Sequence, residues 1–251
     1  MKEGLKELVF ILDRSGSMAG LEDSTIKGYN KIFAENKDGY DCMVTTVLFN
    51  DKYEVLHDRV DIKSIKKLTK KEYVVGGQTA LLDAVGKAIN HIGQALSDTP
   101  EHERPEKVLF IITTDGQENA SNEFNYDAIR AMITHQREKY SWEFIFLGAN
   151  IEADDVADQM GIRYRSNYIA DTDGTNMQYK KTKDVVCCFM ASYGSHDTEY
   201  LKKVDATLNE LNQDYLNRKA KPSAPVEKKA TKPKEKKPAE PKEKKPAKPK
   251  K

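Results

Sequence analysis

Short blocks of uniformly apolar residues alternate along the chain with longer stretches in which apolar residues recur every three or four positions. The first block, Leu8-Val9-Phe10-Ile11-Leu12, is the pattern of a strand buried on both faces. From Leu21 to Asn36 the residues Ile26, Tyr29, Ile32 and Phe33 fall at helical spacing. Met43 to Phe49 predicts a second strand, and Asn50-Asp51-Lys52 a tight connection into an antiparallel edge strand at Tyr53 to Leu56. Ala80 to Leu96 predicts an amphipathic helix with Leu82, Val85, Ile89 and Ile92 on one stripe. A strand at Val108 to Thr113, a helix at Tyr126 to Tyr140, a strand at Trp142 to Leu147 and a short helix at Ile151 to Met160 follow. A weak last strand is expected near Tyr164, then helices at about Asn176 to Ser192 and Thr198 to Leu216, the latter with a stripe of Leu201, Val204, Leu208, Leu211 and Tyr215. Strands and helices alternating in this way imply a mainly parallel sheet with one antiparallel edge strand and helices on both faces, a three-layer α/β architecture.

Charge divides the chain where the periodicity stops. The whole carries +1, but residues 218–251 alone carry +11, which leaves −10 on residues 1–217. The end segment repeats an eight-residue unit, Lys232 to Ala239 and again, with Glu240 in place of Lys, to Ala247. Frequent prolines and almost no large apolar side chains leave nothing to offset ordering entropy, so this tail is expected to be disordered with local polyproline II character. A folded domain over residues 1–217 is long enough to bury a sizeable core. No apolar stretch approaches the ~20 residues that cross a bilayer, and the charged start Met1 to Glu7 lacks the apolar region of a signal peptide. Three cysteines, Cys42, Cys187 and Cys188, show no metal-binding spacing and argue against a disulfide framework. The expected setting is the cytoplasm, with no membrane contact.

Candidate chemistry sits at the ends of the predicted strands. Asp13-Arg14-Ser15-Gly16-Ser17 follows the first strand directly, and a loop in that position is where open α/β sheets bind ligands. One carboxylate and two hydroxyls converge on a point only if the backbone turns sharply, which Gly16 permits. All three are hard oxygen donors suited to Mg²⁺ or Mn²⁺. Thr79 follows the paired glycines Gly76 and Gly77 just before a helix begins, and Asp115 follows the strand at Val108 to Thr113 within Thr113-Thr114-Asp115-Gly116.

With these segments in this order the sequence resembles the von Willebrand factor type A (vWA) domain with its metal-ion-dependent adhesion site (MIDAS), over roughly residues 5 to 170. In that family the site is Asp-x-Ser-x-Ser, a distant Thr and a later Asp, which Asp13, Ser15, Ser17, Thr79 and Asp115 match in order. The resemblance implies a three-layer Rossmann-like vWA fold of the intracellular type, whose relatives act alongside ATPases or chelatases or in stress-response and phage-related systems. It also implies that the two serines ligate the ion directly and that Thr79 and the aspartates do so directly or through water. An ion held largely by neutral hydroxyls stays electrophilic, and its open position suits an Asp or Glu of a protein partner. Thr114, Gln117 and Glu118 are expected to line the rim, and Asp83 either belongs to the site or supports the loop by hydrogen bonds.

Two other classes stand beside this binding reading. An Asp ending the first strand also suggests a Mg²⁺-dependent phosphotransferase of the haloacid dehalogenase type. There a second Asp two positions on is the general acid, and here that position is Ser15, so no enzymatic activity is expected. The Lys-rich tail could hold nucleic acid by counterion release, or act as a spacer, or fold back on the acidic domain; it has no aromatic side chain to stack on bases. Cys187 and Cys188 are expected in the core, the histidines at the surface, and Trp142 in packing. The last helix is expected to pack passively, although integrin-type relatives couple its displacement to the metal.

Overall fold

The computed structural model describes residues 1–36, 39–149, 153–194 and 197–220. The expected tail at 218–251 therefore lies outside the described residues beyond Ala220, as do His196 and the first two residues of the helix expected at 151–160. Six strands form one sheet in the order β3-β2-β1-β4-β5-β6: β1 Lys2–Asp13, β2 Asp41–Phe49, β3 Tyr53–Asp61, β4 Pro105–Thr114, β5 Glu143–Ala149 and β6 Tyr164–Tyr168. Every neighbouring pair is parallel except β2 and β3, the antiparallel edge pair. Helices α1 Glu22–Asn36, α2 Leu81–Asp98, α3 Tyr126–Tyr140, α4 Ala153–Met160, α5 Thr172–Ala191 and α6 Thr198–Lys219 complete the α/β arrangement.

Strand alternation sorts the uniformly apolar blocks into two cores. Leu8, Phe10 and Leu12 of β1, with Leu109 and Ile111 of β4, face α1, α5 and α6. Val9 and Ile11, with Phe110 and Ile112, face α2, α3 and α4. Each of these side chains is at most 1% exposed, and burying a residue of this size contributes about 1.5–3 kcal/mol. The helical stripes point where their spacing directs them: Tyr29, Ile32 and Phe33 of α1 into the first core, and Leu82, Val85, Ile89 and Ile92 of α2 into the second. Trp142 is buried and stacks on Phe110 with ring centroids 5.4 Å apart.

Several elements depart from the pattern-based bounds. β3 runs on to Asp61 instead of stopping at Leu56, because its pairing with β2 absorbs irregular steps opposite Thr46, where Arg59 takes a left-handed conformation (φ 46°). α5 starts at Thr172, with Asp171 accepting from the Gly174 amide at 2.7 Å as N-cap. On α6 the fully buried row is Tyr200, Val204, Leu208 and Leu211, while Leu201 and Tyr215 are half-buried. Two expectations fail outright. Cys187 is exposed and Cys188 only half-buried, since α5 turns Val185, Val186, Phe189 and Met190 inward instead. His57 is buried beneath the Tyr29 hydroxyl, 3.2 Å from its Nδ1.

Candidate metal centre

The chain places β1 at the middle of the sheet, adds β2 on one side, and later returns to add β4 on the other. The crevice beyond the carboxyl ends of β1 and β4 is thus the topological switch point, where loops from both directions part and leave room for a ligand. Asp13 is the last residue of β1, and Asp115 follows the last residue of β4. The two segments singled out in the sequence therefore become neighbours although 102 positions separate their aspartates.

Hydrogen bonds fix the side chains of Asp13, Ser15, Ser17 and Asp115, and the main chain of Thr79. The Ser15 amide donates to Asp13 Oδ1 at 2.6 Å, and Thr114 Oγ1 donates to Asp13 Oδ2 at 2.6 Å. Ser15 Oγ and Ser17 Oγ lie 3.0 Å apart, and Ser17 Oγ donates to Asp115 Oδ1 at 2.6 Å. Thr79 arrives on the connection before α2, which is stitched to the first loop by Gly16 N to Gly77 O at 3.0 Å and Gly76 N to Arg14 O at 2.9 Å. Gly77 has φ +82°, a left-handed conformation that favours glycine, and a Cβ there would also push the exposed Asp51 side chain aside. Asn119 clasps Thr79 from both sides, its Oδ1 accepting from the Thr79 amide at 2.9 Å and its own amide donating to Thr79 O at 3.1 Å.

Gly116 shows where the oxygens converge. A Cβ at this residue would lie 2.5 Å from Thr79 Oγ1, 3.1 Å from Ser17 Oγ and 3.4 Å from Ser15 Oγ. Asp115 Oδ2 is buried there without a hydrogen-bond partner, an arrangement that costs free energy unless a cation or donor meets it. Burial raises both carboxyl groups: Asp13 to about 6, against the hydrogen bonds from Thr114 and Ser15, and Asp115 in the same direction, against that from Ser17. Buried carboxylates of this kind are what a divalent cation stabilises. The donor set is entirely oxygen, two carboxylates and three hydroxyls, and it fits a hard divalent ion. Among the described residues no three His, Cys, Asp or Glu side chains gather in a metal-binding group, so a metal at this point would depend on the hydroxyls.

The expected rim residues separate. Gln117 is exposed. Thr114 is wholly buried and occupied with Asp13. Glu118 faces inward: Oε2 accepts from the Leu82 amide at 3.0 Å and the Ser121 hydroxyl at 2.7 Å, and Oε1 from the Ala120 and Ser121 amides. It braces the first turn of α2. Asp83 accepts from the amides of Asn122, Glu123 and Phe124 at 2.9 to 3.0 Å, the supporting role foreseen for it. Asn119 went unrecognised in the sequence; its only signal was its closeness to Asp115.

No protein-family profile matches the sequence, and no curated protein matches it either. Solved structures do. The PilB minor pilin from Streptococcus sanguinis superposes with a TM-score of 0.51 at 9% identity, covering 74% of this chain and 62% of the pilin. A point mutant of the same pilin gives 0.54 at 11% identity with the same coverage. A von Willebrand factor type A protein from Catenulispora acidiphila gives 0.50 at 14% identity, covering 72% of this chain and 42% of that one. The chain thus spans less than two thirds of the length of each. Likeness at such identities is likeness of fold, and the fold is vWA-like.

Proposed function

We propose that this chain is a metal-dependent protein-binding module, in which Asp13, Ser15, Ser17, Thr79 and Asp115 hold Mg²⁺ or Mn²⁺ and an Asp or Glu of a protein partner completes the coordination. The observation that carries this reading is the convergence of three hydroxyl oxygens on the space above Gly116, beside an Asp115 carboxylate whose Oδ2 is buried without a partner. When bound, the ion supplies an electrophilic position that accepts a carboxylate oxygen. The chain's own residues supply the rest. Ser15 N and Thr114 hold the Asp13 carboxylate, Ser17 orients Asp115, and Asn119 fixes the height of Thr79. Exposed Gln117 beside the centre is the rim residue left to meet a partner.

The module is read as non-catalytic, because Ser15 occupies the position where a phosphotransferase of this topology needs an acid. A generic aryl phosphate with Mg²⁺ tests that: turnover lost in Asp13→Ala would establish an enzyme instead. Cys42, Cys187 and Cys188 are all free, which supports a reducing, cytoplasmic setting. Among the described residues no helix is long and apolar enough to cross a membrane. Arg218 and Lys219 close α6, with Arg218 paired to Asp171, so the extension expected from residue 218 is read as starting only after that helix; the +11 charge of residues 218–251 suits nucleic acid as a secondary partner. The main test is capture of partners on immobilised full-length protein in Mg²⁺ and in EDTA, read by mass spectrometry. Proteins held only in Mg²⁺, and lost with Asp13→Ala, support the proposal; capture indifferent to both ends it.

A further inference from the structure

Tyr73 belongs to no helix or strand. It lies in the long connection from β3 to α2, and its ring is 2% exposed in the core that holds Leu12 and Met18. Its hydroxyl donates to the main-chain carbonyl oxygen of Asp13 at 2.5 Å. That carbonyl stands where β1 stops pairing with β4, whose last partner on β1 is Leu12. The same connection grips the same turn at three more points: Arg14 Nη1 to Glu72 O at 3.3 Å, Gly76 N to Arg14 O at 2.9 Å and Gly16 N to Gly77 O at 3.0 Å.

We propose that Tyr73 is a positioning residue of the metal centre: by holding the Asp13 carbonyl it fixes the peptide from which the Asp13 carboxylate and the Ser15 hydroxyl depart, and so sets the affinity for a divalent cation. The inference rests on the metal-binding reading above. Thr114 and the Ser15 amide orient the carboxylate at its oxygens, but neither restrains the main chain that carries it. The peptide after Asp13 is held on one side by the Arg14 amide, which donates to Phe49 O at 2.7 Å, and the Tyr73 hydroxyl is the anchor on its other side, at the carbonyl, against rotation of that peptide. Groups one step removed from metal ligands typically govern affinity by 10- to 100-fold for this reason.

The test compares two isosteric variants of the full chain. Tyr73→Phe removes the hydroxyl on Asp13. Tyr29→Phe removes an equally buried hydroxyl, bonded to Thr46 Oγ1 at 2.5 Å and to His57, neither of them a candidate ligand or a neighbour of one in the chain. Mg²⁺ affinity is read by titration calorimetry, and thermal melting is followed in EDTA. The expected result is a lowered melting temperature for both variants, with a loss of Mg²⁺ affinity of about tenfold for Tyr73→Phe alone. Wild-type affinity in Tyr73→Phe, or an equal loss in Tyr29→Phe, overturns the proposal. A wild-type chain that takes up no Mg²⁺ overturns the metal reading itself, and that outcome is recognised before any variant is made.

Discussion

Gly116 contributes to the centre by what it lacks. Its conformation is open to any residue, so replacement by alanine is a purely steric test: the added methyl would press on Thr79 Oγ1 from 2.5 Å and approach both serine hydroxyls. Gly116→Ala is expected to lower Mg²⁺ affinity at least tenfold, in the range seen when groups around metal ligands are disturbed, while the far-ultraviolet circular dichroism spectrum stays unchanged. Unaltered affinity would place the ion elsewhere. The five candidate ligands could be read from the sequence because each sits at the end of an apolar block or beside glycines, where strand ends and turns announce themselves. Tyr73 and Glu118 could not. A tyrosine in an irregular connection has no periodicity, and a glutamate beside a ligand looks the same whether it faces a partner or caps a neighbouring helix.

Helix α1 meets α5 at the element scale through a missing side chain. A Cβ on Gly28 would fall 2.3 Å from Cγ of the Tyr179 ring, so the two helices approach as closely as they do only because position 28 is glycine. Gly28→Ala is expected to cost about 1–3 kcal/mol of stability by overpacking, measured by urea unfolding, with Mg²⁺ affinity retained. An undiminished stability would show that the contact is loose. The positions of β1, β2, β4 and β5 were legible from apolar blocks, β3 from the tight connection before it and β6 only weakly, but the strand ends were not. β1 continues down to Lys2 through charged residues that no hydrophobic rule assigns to a strand, and β3 continues past Leu56 through an irregular stretch that interrupts its alternation. The Cys187-Cys188 error has the same root: an apolar run on a helix has an inner and an outer face, and its neighbours Val186 and Phe189 took the inner one.

At the scale of the whole molecule, stability depends on a charge far from the metal centre. Glu7 of β1 is wholly buried, paired to Arg59 Nη2 at 3.1 Å, and burial outweighs that partner to push its carboxyl up from 4.5 to about 7. A folded state that holds this proton more firmly than the unfolded chain gains stability that is complete below about pH 4.5 and is lost as pH rises through about 7. The contribution reaches as much as roughly 3 kcal/mol. Urea unfolding in EDTA between pH 5 and 7.5 should therefore show falling stability as pH rises, to which the raised Asp13 carboxyl also contributes, and Glu7→Gln should lessen that slope; an equally steep slope in the variant would assign it to other groups. A chain ending at Ala220 should melt at the full-length temperature and keep its Mg²⁺ affinity while losing salt-sensitive retention on DNA. Retention that survives would clear the tail of that role. The central claim, one divalent ion shared by five side chains from three separate loops, is tested most directly by anomalous diffraction from crystals grown in Mn²⁺. The account predicts a single strong peak above Gly116, bounded by Ser15, Ser17, Thr79 and Asp115 with Asp13 behind them; a map with no peak there, or with its peak elsewhere, would contradict it.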